Sequence, residues 1–201
     1  PLKHALTKGS EDTTRKFLME LTDGRYVETV LIPASPALYG EGSDRHTLCV
    51  SSQVGCAYGC KFCASGLDGF TRNLSAAEIV SQIILAEELS GEKVNNLVFM
   101  GMGEPLNNYD NVVSACKCLL DRKRWNLAHG KITVSTVGVT PRIYNLTRDL
   151  PEVSLALSLH APNQEARSAI VPAAKAYKIE GLIDALVSSV LPSPISAPVL
   201  I

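Results

Sequence analysis

Four times between Leu48 and Val190 a short strand-forming run gives way to a stretch with helical apolar spacing. The strand runs are Leu48–Val54, Asn96–Gly101, Lys131–Val137 and Val153–His160. The last alternates throughout, with Val153, Leu155, Leu157 and Leu159 against Ser154, Ala156, Ser158 and His160. Ser75-Ala76-Ala77-Glu78 is a capping box that opens a helix burying Ile79, Val80, Ile83 and Ala86 and stopping at Gly91. A second helix from about Tyr109 to Asp121 buries Val112, Val113, Cys116, Leu119 and Leu120. A short third helix follows Thr140-Pro141, with the threonine as cap, and a fourth runs over Ile179–Val190. Parallel strands need long crossovers, and helices of this kind supply them. The predicted class is therefore α/β, a partial TIM-type barrel of about four parallel strand-helix units. Four units do not close a barrel, so an exposed sheet edge is expected.

Ahead of this frame, Lys16–Leu21 and Tyr26–Ile32 alternate around Asp23-Gly24, a strong hairpin signal. Residues 1–14 are polar and read as irregular, and Pro33–His46 reads as a loop. The tail Leu191–Ile201 is apolar and proline-rich and fits no further unit. The expected organisation is a β-hairpin and loop over 1–46, a partial barrel over 47–190 and an irregular apolar tail over 191–201.

Composition narrows the function classes. A formal charge of -1 supplies no global field for nucleic acid, so any RNA contact must be local. Arg122-Lys123-Arg124-Trp125, with His129 and Lys131 close behind, offers charge plus one stacking ring. A solvated helix end favoured by the macrodipole explains the same run. The most apolar stretch, Leu182–Ile201, is broken by Pro192, Pro194 and Pro198, which argues against a membrane span. Six cysteines without a regular framework point to metal or thiol chemistry in a reducing compartment, cytoplasm or an organelle stroma such as the chloroplast's. The chain starts at Pro1 with no signal-peptide pattern, so targeting is not legible.

The chemistry concentrates in Cys56-Ala57-Tyr58-Gly59-Cys60-Lys61-Phe62-Cys63. Three thiolates can converge on one inorganic centre and leave a corner open. A structural zinc wants four protein ligands, and a typical protein-bound iron-sulfur cluster also takes four cysteines. A triplet without a fourth member suggests a cluster that keeps one iron for a substrate, while spacing alone leaves zinc and core cysteines open. Gly59 lets the loop turn sharply, and Tyr58 and Phe62 can shield the centre. Gly101-Met102-Gly103-Glu104-Pro105 ends the second strand. Its glycines allow close backbone approach and its carboxylate suits an ammonium group, although a plain strand-to-helix turn reads the same way. Ser135 lies near the end of the third strand and Ser158-Leu159-His160 ends the fourth. His160 alone is more often a core histidine, but the carboxyl ends of parallel strands are where α/β barrels place active sites. Cys49 falls on the inward face of its strand. Glu28, between Val27 and Thr29 in the hairpin, reads by itself as an exposed cross-strand charge. Cys116 and Cys118 follow no strand end and read as structural.

Taken together these words resemble a known family. Cys56-x3-Cys60-x2-Cys63 is similar to the signature of radical S-adenosylmethionine enzymes. Thr47-Leu48-Cys49-Val50-Ser51-Ser52-Gln53-Val54-Gly55-Cys56, Gly101-Met102-Gly103-Glu104-Pro105-Leu106-Asn107-Asn108 and Ser158-Leu159-His160-Ala161-Pro162-Asn163 resemble the RlmN/Cfr-type adenine methyltransferases of ribosomal and transfer RNA. The resemblance covers about Thr14 to Tyr177.

It implies that Cys56, Cys60 and Cys63 hold a 4Fe-4S cluster whose open iron binds the methionyl end of S-adenosylmethionine. Gly103 and Glu104 match positions contacting that end, and Ser135, Ser158, Leu159 and His160 match others lining the cofactor. One electron, from a donor such as flavodoxin or ferredoxin, would cleave the cofactor to a 5'-deoxyadenosyl radical. That radical would activate a methyl group parked on a cysteine for addition to carbon 2 of an adenine, with carbon 8 the alternative. Glu28 matches the proposed proton acceptor, and Cys49 the cysteine that resolves the protein–RNA adduct by forming a disulfide. The family's methyl-carrying cysteine and its helical N-terminal RNA-engaging domain have no counterpart in this sequence. The loop Pro33–His46 is longer than usual, and Ala173-Ala174 replaces a more polar pair. The chain is thus expected to be a truncated member, whose alternative role is a non-catalytic cluster-binding remnant.

Overall fold

Asp23-Gly24 makes the turn its residues demand. In the computed structural model, which describes residues 2–9, 14–34, 44–190 and 199–200, Gly24 takes φ 77° and Leu21 and Arg25 close the loop. Strands β2 (Arg15–Glu20) and β3 (Tyr26–Pro33) run antiparallel from it. They are joined at the outer edge by β1 (Lys3–Lys8), which pairs antiparallel with β2. Residues 1–14 were expected to be irregular, and β1 corrects this. Every side chain of β1 is exposed, so it shows no alternation, and it forms because the edge of β2 offers unpaired backbone groups.

Beyond β3 come β4 (His46–Cys49), β7 (Asn96–Phe99), β8 (Ile132–Thr136) and β9 (Ser154–Leu157). β4 pairs antiparallel with β3, and from β4 onward every pairing is parallel. The crossovers carry α1 (Ala76–Ser90), α2 (Tyr109–Leu120) and α3 (Thr140–Asp149), followed by α4 (Gln164–Ile170) and α5 (Ile179–Val190). Val199-Leu200, β10, adds a two-residue parallel strand beside β9, so part of the tail does enter the sheet. The sheet has eight strands in the order β1-β2-β3-β4-β7-β8-β9-β10. The rest of the tail, 191–198 and 201, and most of the loop, 35–43, lie outside the described residues.

Leu48–Val54 is not one strand. β4 ends at Cys49, and Gln53–Gly55 (β5) turns away to pair with β6 (Phe70–Asn73) in a separate two-stranded sheet. The cause is a polar clamp. The fully buried Gln82 of α1 accepts from Ser51 N–H at 2.9 Å and donates to Ser51 C=O at 2.9 Å, taking both groups from any ladder. Ser158–His160 likewise falls beyond β9, and the N-cap of α3 is Val139 rather than Thr140. α4 had no counterpart in the expected elements; Asn163 caps it by accepting from Ala166 N–H.

One face of the large sheet is buried, with Phe17, Met19, Leu31, Leu48, Leu97, Phe99, Val134 and Leu155 packed against Ile79, Ile83, Val112, Leu119, Ile143 and Leu182 of the helices. Each such fully buried side chain contributes about 1.5–3 kcal/mol. Hairpin and parallel strands share this one core. Register places Val30, Cys49, Val98 and Thr133 together on the opposite, partly exposed face. Cys49 therefore points inward, as its alternation predicts. Among the described residues no helix is long and apolar enough to cross a membrane.

Candidate functional site

The loops at the carboxyl ends of the parallel strands are tied together before any ligand is considered. Ser51 Oγ donates to Glu28 C=O at 2.6 Å and accepts from Met102 N–H at 3.0 Å. Gln53 Oε1 accepts from Glu104 N–H at 2.8 Å, and Asn108 donates to the carbonyls of Ser52 and Leu74, both at 2.7 Å. Gly103 is required here. Its φ is 96°, and a Cβ would lie 2.5 Å from the Cβ of Gln53. The acidic loop after β7 is thereby seated on the strand that leads into the cysteines.

A cavity of about 270 Å³ opens between these loops. Cys56, Cys60 and Cys63 line one wall, Gly103 and Glu104 another, and Ser135, Ser158 and His160 a third. Ser135 and Ser158 share a hydrogen bond at 3.2 Å across β8 and β9. His160 holds a left-handed φ of 59° and packs its ring on Phe62, with centroids 4.2 Å apart.

Electrostatics single out Glu104. Burial pushes its carboxyl up to about 7, although Oε1 accepts from Leu106 N–H and Oε2 from Val137 N–H, each at 2.9 Å. Among the described residues no cation pairs with it. Burial pushes the Cys60 thiol up to about 11, with Cys56 and Cys63 adding to the rise, and Cys56 is raised by burial first. Burial and the charge of Arg167 hold His160 below the usual imidazole range.

A cluster with one open metal atom fits these donors. The three thiols line one cavity, as ligands of a shared centre must. A lone zinc draws its thiolates to about 2.3 Å, whereas a cube carries each ligand on a separate iron. The cavity beside the thiols and the buried carboxylate facing it leave room for an amine-bearing ligand.

Three of the expected site residues stand apart from the cavity lining. Leu159 packs its side chain against the core. Cys49 lies on the adjoining inner face, where Met100 N–H donates to its sulfur and burial pushes the thiol up to about 11. Glu28 pairs with Lys16 at 2.7 Å, both side chains 44% exposed, which is the cross-strand charge its position suggests. Cys116 is fully buried in the core and Cys118 half-buried beside Arg124. The run at 122–125 precedes β8 and so lies at the end of the sheet away from the cavity. Sequence reasoning missed Gln82, Asn108 and Arg167, all buried and polar. Of these, Gln82 carried a signal, a polar side chain among Ile79, Ile83 and Ala86 on one helix face.

Residues 50–192 match the model of the Radical SAM superfamily, and the chain belongs to that superfamily. Within it, the chain is 50% identical over 178 residues to the "Probable dual-specificity RNA methyltransferase RlmN" of Akkermansia muciniphila, covering 89% of this chain and 50% of that protein. It is 48% identical over 183 residues to the "Ribosomal RNA large subunit methyltransferase N" of Nitrosopumilus maritimus, covering 90% of this chain and 52% of the relative. The crystal structure of a radical SAM methyltransferase from Sphaerobacter thermophilus superposes with a TM-score of 0.85 at 42% identity, over 94% of this chain and 55% of that one. The chain spans about half the length of the curated relatives it matches.

Proposed function

We propose that this chain is the cluster- and cofactor-binding portion of a radical S-adenosylmethionine methyltransferase acting on carbon 2 of adenine in ribosomal RNA and transfer RNA. The carrying observation is that the cysteine loop, the buried Glu104, Ser135 of β8 and Ser158 just beyond β9 line one cavity. Cys56, Cys60 and Cys63 would hold a 4Fe-4S cluster, and Gly103, Glu104, Ser135, Ser158, Leu159 and His160 would hold S-adenosylmethionine. The bound cluster and cofactor supply one-electron cleavage to a carbon radical once an external donor delivers the electron.

The chain's own residues do the holding. Glu104 offers a desolvated carboxylate to the methionyl ammonium, which returns it to the ionised form. Gly103 presents backbone without a side chain in the way. Ser135 and Ser158 offer hydroxyls to the nucleoside. The exposed Phe62 and His160 rings pack on each other where the cysteine loop meets the cavity. Cys49 is assigned the resolving thiol, on the inner sheet face beside Met100 of the cavity lining, and Glu28 the proton acceptor, once released from Lys16. The reading divides the chain at 46 and 190, with the hairpin as a flank of the barrel.

Anaerobic reconstitution tests it. About four irons per chain with the broad visible band of a cluster are expected. Cys60→Ala should lose that iron, and unchanged iron content in the variant overturns the assignment.

A further inference from the structure

The cysteine loop rests on the segment that follows β9. Lys61 N–H donates to Ile170 C=O at 3.0 Å, and Cys60 packs with Val171, Ala173 and Ala174 in a small apolar cluster of its own. Val137 and Tyr177 pack against the same cluster, and both carry carbonyls that bind the guanidinium of Arg167.

Arg167 is 0% exposed. Its Nε donates to Leu159 C=O at 3.2 Å, Nη1 to Tyr177 C=O at 3.4 Å and Nη2 to Val137 C=O at 2.5 Å. Among the described residues no carboxylate pairs with it. Carbonyls satisfy its donors but carry no net charge, and a buried cation without an anion is strongly disfavoured. Val137 and Tyr177, whose carbonyls it holds, pack on the cluster that contains Cys60, so the guanidinium and the cysteine loop flank one apolar wall.

We propose that Arg167 is the counter-charge of the cysteine-bound cluster, a positioning residue that raises the cluster's reduction potential while it clasps the loops after β8 and β9. The proposal rests on the cluster reading above. A cube on three thiolates carries one negative charge when oxidised and two after accepting an electron. A fixed cation behind an apolar wall stabilises the second state more than the first.

The test uses the full chain, reconstituted anaerobically, with Arg167→Gln and Arg167→Lys beside the parent. Iron content is measured first. Each loaded protein is then titrated with dithionite, which delivers one electron to the cluster, and reduction is followed by electron paramagnetic resonance. Reduction of the Gln variant should become about tenfold less favourable, a potential about 59 mV lower, with the Lys variant close to the parent. Loss of the cluster from the Gln variant but not from the Lys variant also supports the proposal, because both break the carbonyl clasp and only one removes the charge. Equal potentials in all three, or loss of iron from the Lys variant, overturn it and leave Arg167 as structural glue. A parent chain that takes up no four-iron cluster refutes the cluster reading itself.

Discussion

Glu104, on the loop after β7, accepts a hydrogen bond at 2.9 Å from the main-chain N–H of Val137, the first residue beyond β8. Its other oxygen accepts from Leu106 N–H. One carboxylate thus braces two neighbouring strand ends while facing the cavity, so its structural and binding effects are separable by choice of substitution.

Glu104→Ala strands two buried N–H donors, each costing about 1–3 kcal/mol, and should show as a lower urea midpoint. Glu104→Gln keeps one acceptor and the shape but removes the charge. Its S-adenosylmethionine affinity, by equilibrium dialysis on the reconstituted chain, should fall about ten- to a hundredfold, with a smaller loss of stability than in the alanine variant. Undiminished affinity in Glu104→Gln removes the ammonium assignment.

Gln82 makes a second separable case. Its amide accepts from Thr29 Oγ1 at 2.8 Å and holds both main-chain groups of Ser51. Gln82→Leu should cost about 2–5 kcal/mol in urea unfolding because it leaves those groups buried and unpaired. Thr29→Val removes the bond to Gln82 and a weak one to Met19 Sδ and should cost about 0.5–1.5 kcal/mol. Similar losses in the two variants count against the clamp.

These clamps explain what the sequence hid. α1 was readable because its signals are local: Ser75 and Glu78 complete a capping box, and Gly91 ends the helix at φ 73°. The hairpin was readable from Asp23-Gly24 for the same reason. The break at Val50 was not, because the partner of Ser51 lies 31 residues away on α1. β1 was hidden since an edge strand with both faces in water needs no alternation. Arg167 looked like any helical arginine, and only the convergence of three loops shows it to be buried. The cysteine loop, Glu104 and the strand-end serines were legible because barrel topology gathers carboxyl ends wherever the strands lie in sequence.

The hairpin tip is tied to the barrel by charge, which gives a pH signature. Arg72 of β6 donates to Asp23 at 2.7 Å and to Glu78 at 2.8 and 3.0 Å. Its guanidinium is the main reason both carboxyls are held below the usual range. Groups depressed in the folded state add stability above their unfolded values, near pH 4, and lose it as pH falls through the folded ones. Arg72→Gln should therefore melt about 2–4 °C below the parent at pH 7, and the gap should narrow below pH 4. A gap that is constant or widens in acid contradicts the network.

Cysteine reactivity offers the last test, because the six thiols occupy distinct settings. Cys116 is fully buried and its thiol is pushed up to about 12, so it should resist alkylation until the chain unfolds. Cys118 is half-buried on the outer side of α2, with Arg124 at 3.7 Å, and should react under native conditions whether or not iron is bound. Cys56, Cys60 and Cys63 line the cavity; Cys56 and Cys63 are half-buried and open to a small reagent in the iron-free chain, whereas Cys60 is buried and should react more slowly. Iron should protect these three together, since each would ligate a different corner of the proposed cube. Peptide mass spectrometry after brief iodoacetamide treatment, with and without anaerobic reconstitution, reads all six at once. Protection of only one of Cys56 and Cys63, or of Cys118 with them, means that the iron sits elsewhere.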